Sequence, residues 1–168
     1  MPIKLINNNQ VSINSLSEEG KKQIEKWDED SDVSKYREPY NPAAPKLESI
    51  NFGIYIGENK SQLIGSIDIS SIDLKNNHAE IGMAIGDKNY WGKGIGTESV
   101  KLILNYCFVT LNLNKVYLDV WEDNIRAIKC YQKCGFKTDG LLRQHVFKDN
   151  KYYSKIIMSI LKSEWSKL

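Results

Sequence analysis

A glycine-rich segment, WGKGIGT at residues 91–97, lies between an apolar strand pattern and an amphipathic helix pattern. Glycine lets the backbone approach a ligand closely and adopt conformations that other residues avoid. Free N–H groups at a helix N-terminus, with the positive end of the helix dipole behind them, favour an anion. The segment therefore predicts a loop that binds a phosphate or a pyrophosphate.

Two familiar nucleotide-binding loops do not match this segment. The phosphate-binding loop of nucleotide triphosphatases has Lys and then Ser or Thr after its last glycine, whereas Lys93 lies between glycines. The dinucleotide fingerprint reads G-x-G-x-x-G after the first strand of a parallel unit. Here the pattern is G-x-G-x-G, and it follows three strands of a predicted antiparallel meander. The ligand must therefore be identified from another part of the chain.

Composition narrows the class of protein. The 168 residues are enough for one domain with a substantial core, and we predict a single domain over residues 1–168. The formal charge is +2 with Lys and Arg spread along the chain, which disfavours nucleic acid as a partner. The sequence has neither a long apolar run nor a leader-like start, so we expect a cytoplasmic protein without a membrane partner.

The cysteines predict reduced thiols. Cys107, Cys130 and Cys134 are odd in number and form no C-x-x-C pair. Cys130 and Cys134 share one helical face, a spacing that a metal can also use, but His78 and His145 are the only histidines. We therefore expect packed thiols and no metal.

Apolar periodicity predicts most of the secondary structure. In order, the expected elements are a strand at 3–6, a helix at 17–27, strands at 51–58, 62–71 and 78–85, a helix at 97–110, a strand at 115–121, a helix at 124–134, and strands at 136–146 and 152–161. Residues 28–49 contain Pro39, Pro42 and Pro45, which predict that part of this segment is a loop. A loop of that length is a candidate for substrate contact.

A second motif identifies the ligand of the glycine loop. Residues 124–136, NIRAIKCYQKCGF, fit the pattern N-x-x-A-x-x-x-Y-x-K-x-G-F. Together with Gly94 and Gly96, this motif resembles the GNAT superfamily of acetyl-CoA-dependent N-acetyltransferases, over about residues 62–161. Segments 90–98 and 157–159 look like its ribosomal-protein N-acetyltransferase branch, which includes spermidine N-acetyltransferases. Segment 108–118 is especially similar to the spermidine enzymes.

The resemblance implies a fold and a cofactor. The fold is α+β (mixed α/β) and GNAT-like, with a central, mostly antiparallel, splayed sheet of about seven strands and about four helices on its faces. Acetyl-CoA is the implied co-substrate, with its pyrophosphate on the glycine loop and its pantetheine arm along the preceding strand. The implied cofactor-binding residues are Met83, Ala84, Ile85, Trp91, Gly92, Lys93, Gly94, Ile95, Gly96, Thr97, Asn124 and Lys133.

Some of these residues depart from the family pattern or have an alternative interpretation. The superfamily usually has Gln or Arg where this chain has Trp91, but backbone amides do most of the phosphate binding, so we expect affinity to survive. Asn124 is expected to bind the pantetheine or the leaving group. Lys133 is expected to reach the 3′-phosphate, although a surface lysine on an amphipathic helix is the alternative. Relatives often carry Asp at the position of Ser154, to which no role is assigned here.

The resemblance also implies direct attack of an amine on the thioester, with a backbone N–H stabilising the oxyanion. Tyr131 is the predicted general acid for the CoA thiolate, and a tyrosine merely packed on the sheet is the alternative. An alkylamine is largely protonated at pH 7, so a base is needed. Glu80 is the predicted base, acting directly or through water. An exposed carboxylate without a chemical role, and a water chain to solvent, are the alternatives.

The leading hypothesis is an N-acetyltransferase that acetylates a primary amine in a ternary complex, either a polyamine such as spermidine or a protein N-terminus. An aminoglycoside or another small-molecule amine is an alternative substrate, and a non-catalytic acyl-CoA-binding module is an alternative of a different class. The acidic run at residues 28–32 slightly favours a cationic small molecule, with a solvated loop as the alternative. A homodimer or higher homo-oligomer is also expected from the resemblance.

Overall fold

The computed structural model describes residues 11–37, 49–57 and 61–166. Its centre is a seven-stranded sheet in the spatial order β1-β2-β3-β4-β5-β7-β6. The strands are β1 (Ser12–Ser15), β2 (Ser49–Ile56), β3 (Gln62–Asp73), β4 (His78–Ile85), β5 (Lys115–Trp121), β6 (Lys137–Lys148) and β7 (Lys151–Leu161). Neighbouring strands are antiparallel except β4 and β5, which are parallel.

Five α-helices lie in the described part of the chain. They are α1 (Glu18–Asp28), α2 (Ser31–Ser34), α3 (Ile95–Asn105), α4 (Ile125–Lys133) and α5 (Lys162–Trp165). A 3-10 turn at Lys88–Tyr90 precedes the glycine loop, and α3 continues into a π-helical turn at Tyr106–Thr110. None of the helices in these residues is long and apolar enough to cross a membrane.

Local sequence explains where the helices start. The Ser17 hydroxyl accepts a hydrogen bond from the N–H of Gly20 and caps α1. The Asn124 side chain accepts one from the N–H of Ala127 and caps α4. Such caps satisfy N–H groups that have no partner within the helix. The strand predicted at 3–6 lies outside the described residues, as do residues 38–48 of the segment 28–49 that was predicted to be partly a loop.

The two central strands diverge. β4 and β5 pair only over His78–Glu80 and Lys115–Tyr117. β4 continues along β3 until Ile85 pairs with Gly65, and β5 continues along β7 until Trp121 pairs with Lys155. The carboxyl halves of β4 and β5 are therefore not joined to each other, and a cleft opens between them. This is the splay that the sequence resemblance implied.

The core holds the glycine loop in place. Val100 and Ile103 of α3 are fully buried, as is Phe108 in the π-helical turn. Burying each such side chain contributes roughly 1.5–3 kcal/mol. Helix α3 contacts β1, β4 and α4, so its N-terminus is fixed beside the carboxyl end of β4.

Candidate active site

A cavity of about 620 Å³ occupies the cleft between the diverging strands. Its wall is formed by residues 81–85 of β4, residues 119–121 of β5, the glycine loop, one face of α4, and a segment around α2. We call residues 29–37 the α2 segment. A cavity of this size is typical of sites for cofactors and small ligands.

The predicted cofactor-binding residues meet at this cavity, with one exception. Those that line it are Met83, Ala84, Ile85, Trp91, Gly92, Gly94, Ile95, Gly96, Thr97, Asn124 and Lys133. Lys93 is not among the lining residues, and its ammonium lies 5.4 Å from the centroid of the Tyr90 ring. The roles of these residues in binding remain predictions.

The backbone of the glycine loop explains its composition. Gly92 and Gly94 have φ of +74° and +80°, in the left-handed region that favours glycine. Gly94 is the N-cap of α3 and makes no side-chain capping hydrogen bond. The N–H groups of the first turn of α3 therefore have no capping side chain and border the cavity. This arrangement is suited to an anion.

Trp91 connects the loop to two neighbouring elements. Its indole Nε1–H donates a hydrogen bond of 2.8 Å to the carbonyl of Ile85. The sequence predicted that the backbone of Ile85 binds the pantetheine arm. The Arg126 guanidinium lies over the indole, 3.8 Å from the ring centroid. Trp91 therefore stiffens the loop and places a cation beside it.

Helix α4 presents a cationic face to the cavity. Arg126, Lys129 and Lys133 all line it, and their spacings of three and four residues place them on one side of the helix. The sequence analysis named only Lys133. The helical spacing of the other two from Lys133 was the signal that could have found them.

Tyr131 lies at the cavity and is 6% exposed. Its ring packs on Phe136, with 5.7 Å between the ring centroids. Burial is the main cause that raises the pKa of Tyr131, and the nearby Cys130, Cys134 and Asp68 raise it further. The phenol is therefore protonated at neutral pH, which is the state that a general acid needs.

Glu80 does not belong to the cavity lining. It pairs with Tyr117, the last residue of the short parallel ladder, so it lies where β4 and β5 are still joined. Its carboxylate accepts a hydrogen bond of 3.2 Å from the Ser71 hydroxyl. Direct proton transfer from a substrate in the cavity is not supported by this position, and a base role for Glu80 remains a prediction.

Asp68 of β3 is a carboxylate that does line the cavity. It lies over Gly82, where a Cβ atom would come within 2.8 Å of its Oδ1. Burial, followed by the charge of Glu80, raises the pKa of Asp68 to about 6, while Arg37 opposes the rise. A carboxylate with such a pKa is suited to general base catalysis near neutral pH. The sequence analysis missed Asp68, although a charge between Ile67 and Ile69 was a visible signal.

The cysteines are free thiols, as the sequence predicted. Cys130 lines the cavity beside the glycine loop, with its Sγ 3.5 Å from the Thr97 hydroxyl. Cys134 is buried, and its thiol donates to the Thr97 carbonyl at 3.5 Å. The residues described here contain no cluster of three or more side chains suited to a metal ion.

Comparison with known proteins identifies the family. Residues 14–137 match the family model described as an acetyltransferase (GNAT) domain. The chain belongs to the GNAT acetyltransferase family. It is 32% identical over 139 residues to the uncharacterized N-acetyltransferase p20 of Bacillus licheniformis, covering 81% of this chain and 77% of that protein.

Two further comparisons involve spermidine acetyltransferases. The chain is 28% identical over 164 residues to spermidine N(1)-acetyltransferase of Escherichia coli K12, covering 92% of this chain and 88% of that protein. The crystal structure of spermidine N-acetyltransferase from Vibrio cholerae in complex with CoA and spermine aligns with a TM-score of 0.82. The two chains are 25% identical, with 95% of this chain and 99% of that chain covered.

This GNAT protein is therefore an acetyl-CoA-dependent N-acetyltransferase. The fold predicted from the sequence is confirmed, with seven strands and a splayed, mostly antiparallel sheet. The residues at the cavity fit acetyl-CoA, because a glycine loop at a helix N-terminus and a cationic helix face suit its phosphates.

Proposed function

We propose that this enzyme acetylates a primary amine of a polyamine such as spermidine, in a ternary complex with acetyl-CoA. The observation that carries the proposal is Asp68, a carboxylate with a pKa of about 6 in the same cavity as Tyr131 and the glycine loop. An amine acetyltransferase needs a group that accepts a proton from its cationic substrate near neutral pH. The similarity to spermidine acetyltransferases over most of the chain supports the polyamine as substrate.

In this proposal the glycine loop and α4 hold the acetyl donor. The N–H groups of Gly94, Ile95 and Gly96 bind the pyrophosphate, and Lys133 binds the 3′-phosphate. Met83 and Ala84 bind the pantetheine through their backbone. Asn124 uses its side-chain oxygen to cap α4, so only its amide NH2 is left to contact the pantetheine or the leaving group.

The proton transfers are assigned to two side chains. Asp68 takes a proton from the alkylammonium, and the free amine then attacks the thioester carbonyl. A backbone N–H of β4 stabilises the oxyanion. Tyr131 donates its proton to the sulfur of CoA as the carbon–sulfur bond breaks, and the nitrogen then gives its extra proton to the Tyr131 phenolate as the amide forms. Glu80 contributes to the reaction only through its charge, which raises the pKa of Asp68.

The test is thiol release by the purified protein with acetyl-CoA and polyamines, N-terminal peptides and aminoglycosides. We expect turnover with polyamines, and Tyr131→Phe should reduce kcat by roughly 10²–10⁴-fold, the usual contribution of a general acid. Tyr55→Phe is the matched control, because Tyr55 is a partly exposed tyrosine of β2 that lies outside the cavity. Absence of turnover, or a Tyr131→Phe enzyme as active as the wild type, would contradict the proposal.

The same panel separates the alternatives. Preferred turnover of peptides or aminoglycosides would identify a different amine substrate on the same catalytic residues. Calorimetric binding of acetyl-CoA without turnover on any amine would identify a non-catalytic acyl-CoA-binding module instead.

We also propose that the enzyme is a homo-oligomer. The β6–β7 hairpin exposes apolar side chains, and Leu141, Phe147 and Tyr152 are each more than half exposed. Exposed apolar patches of this kind are typical of protein interfaces. Light scattering that gives a monomer mass over a wide concentration range would contradict this.

We further propose a cytoplasmic location. Free thiols such as Cys130, at the cofactor cavity, are typical of reducing compartments. Fractionation of cells that produce the protein at native level, followed by immunoblotting, tests this proposal.

A further inference from the structure

The α2 segment is attached to the rest of the molecule by two lysines from different elements. Lys88, in the 3-10 turn before the glycine loop, contacts Asp30 at 2.8 Å and Asp32 at 3.0 Å. Arg37 contacts Asp28 at 2.9 Å. The acidic run at residues 28–32 is therefore largely neutralised by the protein's own cations.

The second lysine is Lys148, at the end of β6. Its ammonium donates hydrogen bonds to the carbonyls of Ser34 and Lys35 at 3.0 Å and of Arg37 at 3.2 Å. The same ammonium lies 5.6 Å from the centroid of the Trp121 ring. Carbonyl groups at a helix end have no partners within the helix, and a cation satisfies several of them at once. Lys148 thus joins the β6–β7 hairpin to the backbone just after α2.

The residues held in this way form part of the cavity wall. Tyr36 and Arg37 both line the cavity. The Tyr36 hydroxyl donates to the carbonyl of Asp123 at 3.3 Å, and its ring meets Trp121 edge-on. The charge of Arg37 lowers the pKa of Asp68. Lys148 itself lines a separate, smaller cavity of about 270 Å³, so it acts on the larger one only through these neighbours.

We propose that Lys148 is a positioning residue for the amine substrate: by holding the backbone of the α2 segment, it fixes Tyr36 and Arg37 in the cavity wall and sets the KM for the amine. This inference rests on the proposed function, in which the amine reacts beside Asp68. Within the described residues, the contacts of Lys148 are with the α2 segment and Trp121 and not with the glycine loop, so we expect binding of acetyl-CoA to be independent of it.

The kinetic test compares three variants. Lys148→Met keeps the aliphatic stem and removes the three hydrogen bonds, and we expect the amine KM to rise about tenfold, as for the loss of hydrogen bonds to a charged group. The kcat and the acetyl-CoA KM should stay near their wild-type values. Lys148→Arg should restore most of the amine KM, because it again supplies cationic donors. Lys151→Met is the control, because Lys151 lies in the same hairpin but lines neither cavity.

A pH profile gives a readout that general destabilisation would not produce. The charges that act on Asp68 are those of Glu80 from β4 and Arg37 from the α2 segment, and Asp68 in turn raises the pKa of Tyr131 from α4. Asp119 from β5 and Lys155 from β7 are the other charged side chains of these central strands that line the cavity. If Lys148→Met releases Arg37, the pKa of Asp68 rises. The acidic limb of kcat/KM should then move to higher pH in this variant and return in Lys148→Arg.

Hydrogen exchange tests the attachment without turnover. Peptides that span residues 29–37 should exchange faster in Lys148→Met than in the wild type or Lys151→Met. Equal exchange of these peptides in Lys148→Met and the wild type would overturn the inference. So would an amine KM that is the same in Lys148→Met as in a wild type that turns over. An equal fall in kcat and in acetyl-CoA affinity, together with a lower Tm, would also overturn it. A wild type without turnover on any amine would instead overturn the proposed function.

Discussion

Arg126 and Trp91 form a stacked pair at the mouth of the cofactor cavity, with the guanidinium carbon 3.8 Å from the centre of the indole ring. Trp91 occupies the position at which the family usually has Gln or Arg. At this position the neighbouring cation is instead Arg126, which comes from the first turn of α4. Because Trp91 also binds the Ile85 carbonyl, one side chain positions both the loop and this cation.

Removal of this cation should weaken binding of acetyl-CoA. We expect Arg126→Ala to raise the acetyl-CoA KM by roughly 3- to 10-fold, the range of a cation held on an aromatic ring beside a phosphate. The kcat and the amine KM should change little. The control is Lys101→Ala, because Lys101 is an exposed cation on α3 that pairs with Glu98 outside the cavity. An acetyl-CoA KM that shifts equally in both variants would contradict this prediction.

Asp68 should produce the acidic limb of the pH profile. A base acts when deprotonated, so kcat/KM should fall as the pH drops below about 6, where Asp68 takes up its proton. Asp68→Asn should lose most of the activity and this limb. Glu80→Gln should move the limb to lower pH, because the charge of Glu80 raises the pKa of Asp68. Glu122→Gln, an exposed acid outside the cavity, should leave it in place. A limb unaffected by Asp68→Asn would exclude this base.

The sequence predicted β4 and β5 with the bounds that the structure shows, because each is a run of alternating apolar residues between polar breaks. It missed β1, α2 and α5, which have four residues each in the structure. So few residues cannot display a period. The helix predicted at 97–110 begins at Ile95 and ends in a π-helical turn, and apolar spacing alone does not distinguish that turn from α-helix.

The catalytic base was hard to predict from the sequence for a reason other than the shortness of an element. Asp68 lies on β3 and Glu80 on β4, and both occur in strands of alternating apolar residues. This alternation does not show which of the two carboxylates reaches the cavity. Which of them lines the cavity depends on where β4 and β5 separate, and that point lies just beyond Glu80. The separation is a tertiary property, because it depends on how β5 pairs with β7 and how β4 pairs with β3. The phosphate-binding residues were easier to predict from the sequence, since one local segment contains both the glycines and the start of α3.

Cys130 should be the most reactive thiol of this protein, and CoA should protect it. Contacts with the Cys134 thiol and the Thr97 hydroxyl lower the pKa of Cys130, whereas burial raises the pKa of Cys107 to about 12. At pH 7.5 iodoacetamide should therefore label Cys130 first, as measured by peptide mass spectrometry. Saturating CoA should slow the labelling, because Cys130 lines the cofactor cavity. Labelling of Cys107 before Cys130, or no effect of CoA, would contradict this prediction.

Gly82 should be required for the position of the Asp68 carboxylate. A Cβ at residue 82 would lie 2.8 Å from Asp68 Oδ1, closer than real Cβ contacts allow, so Gly82→Ala must displace the carboxylate. We expect a large fall in kcat/KM in a protein that still folds. Gly140→Ala is the matched control, because a Cβ on that strand glycine meets nothing within 4 Å.

A double variant separates displacement of the carboxylate from general damage to the sheet. If Gly82→Ala acts by moving the base, it should cost little further activity in the Asp68→Asn background, because the base has already been lost there. Two residues in contact whose effects fail to add in this way are energetically coupled. Activity losses that multiply, together with a Tm lowered equally in both backgrounds, would show that Gly82 serves the packing of β3 on β4 and not the placement of Asp68.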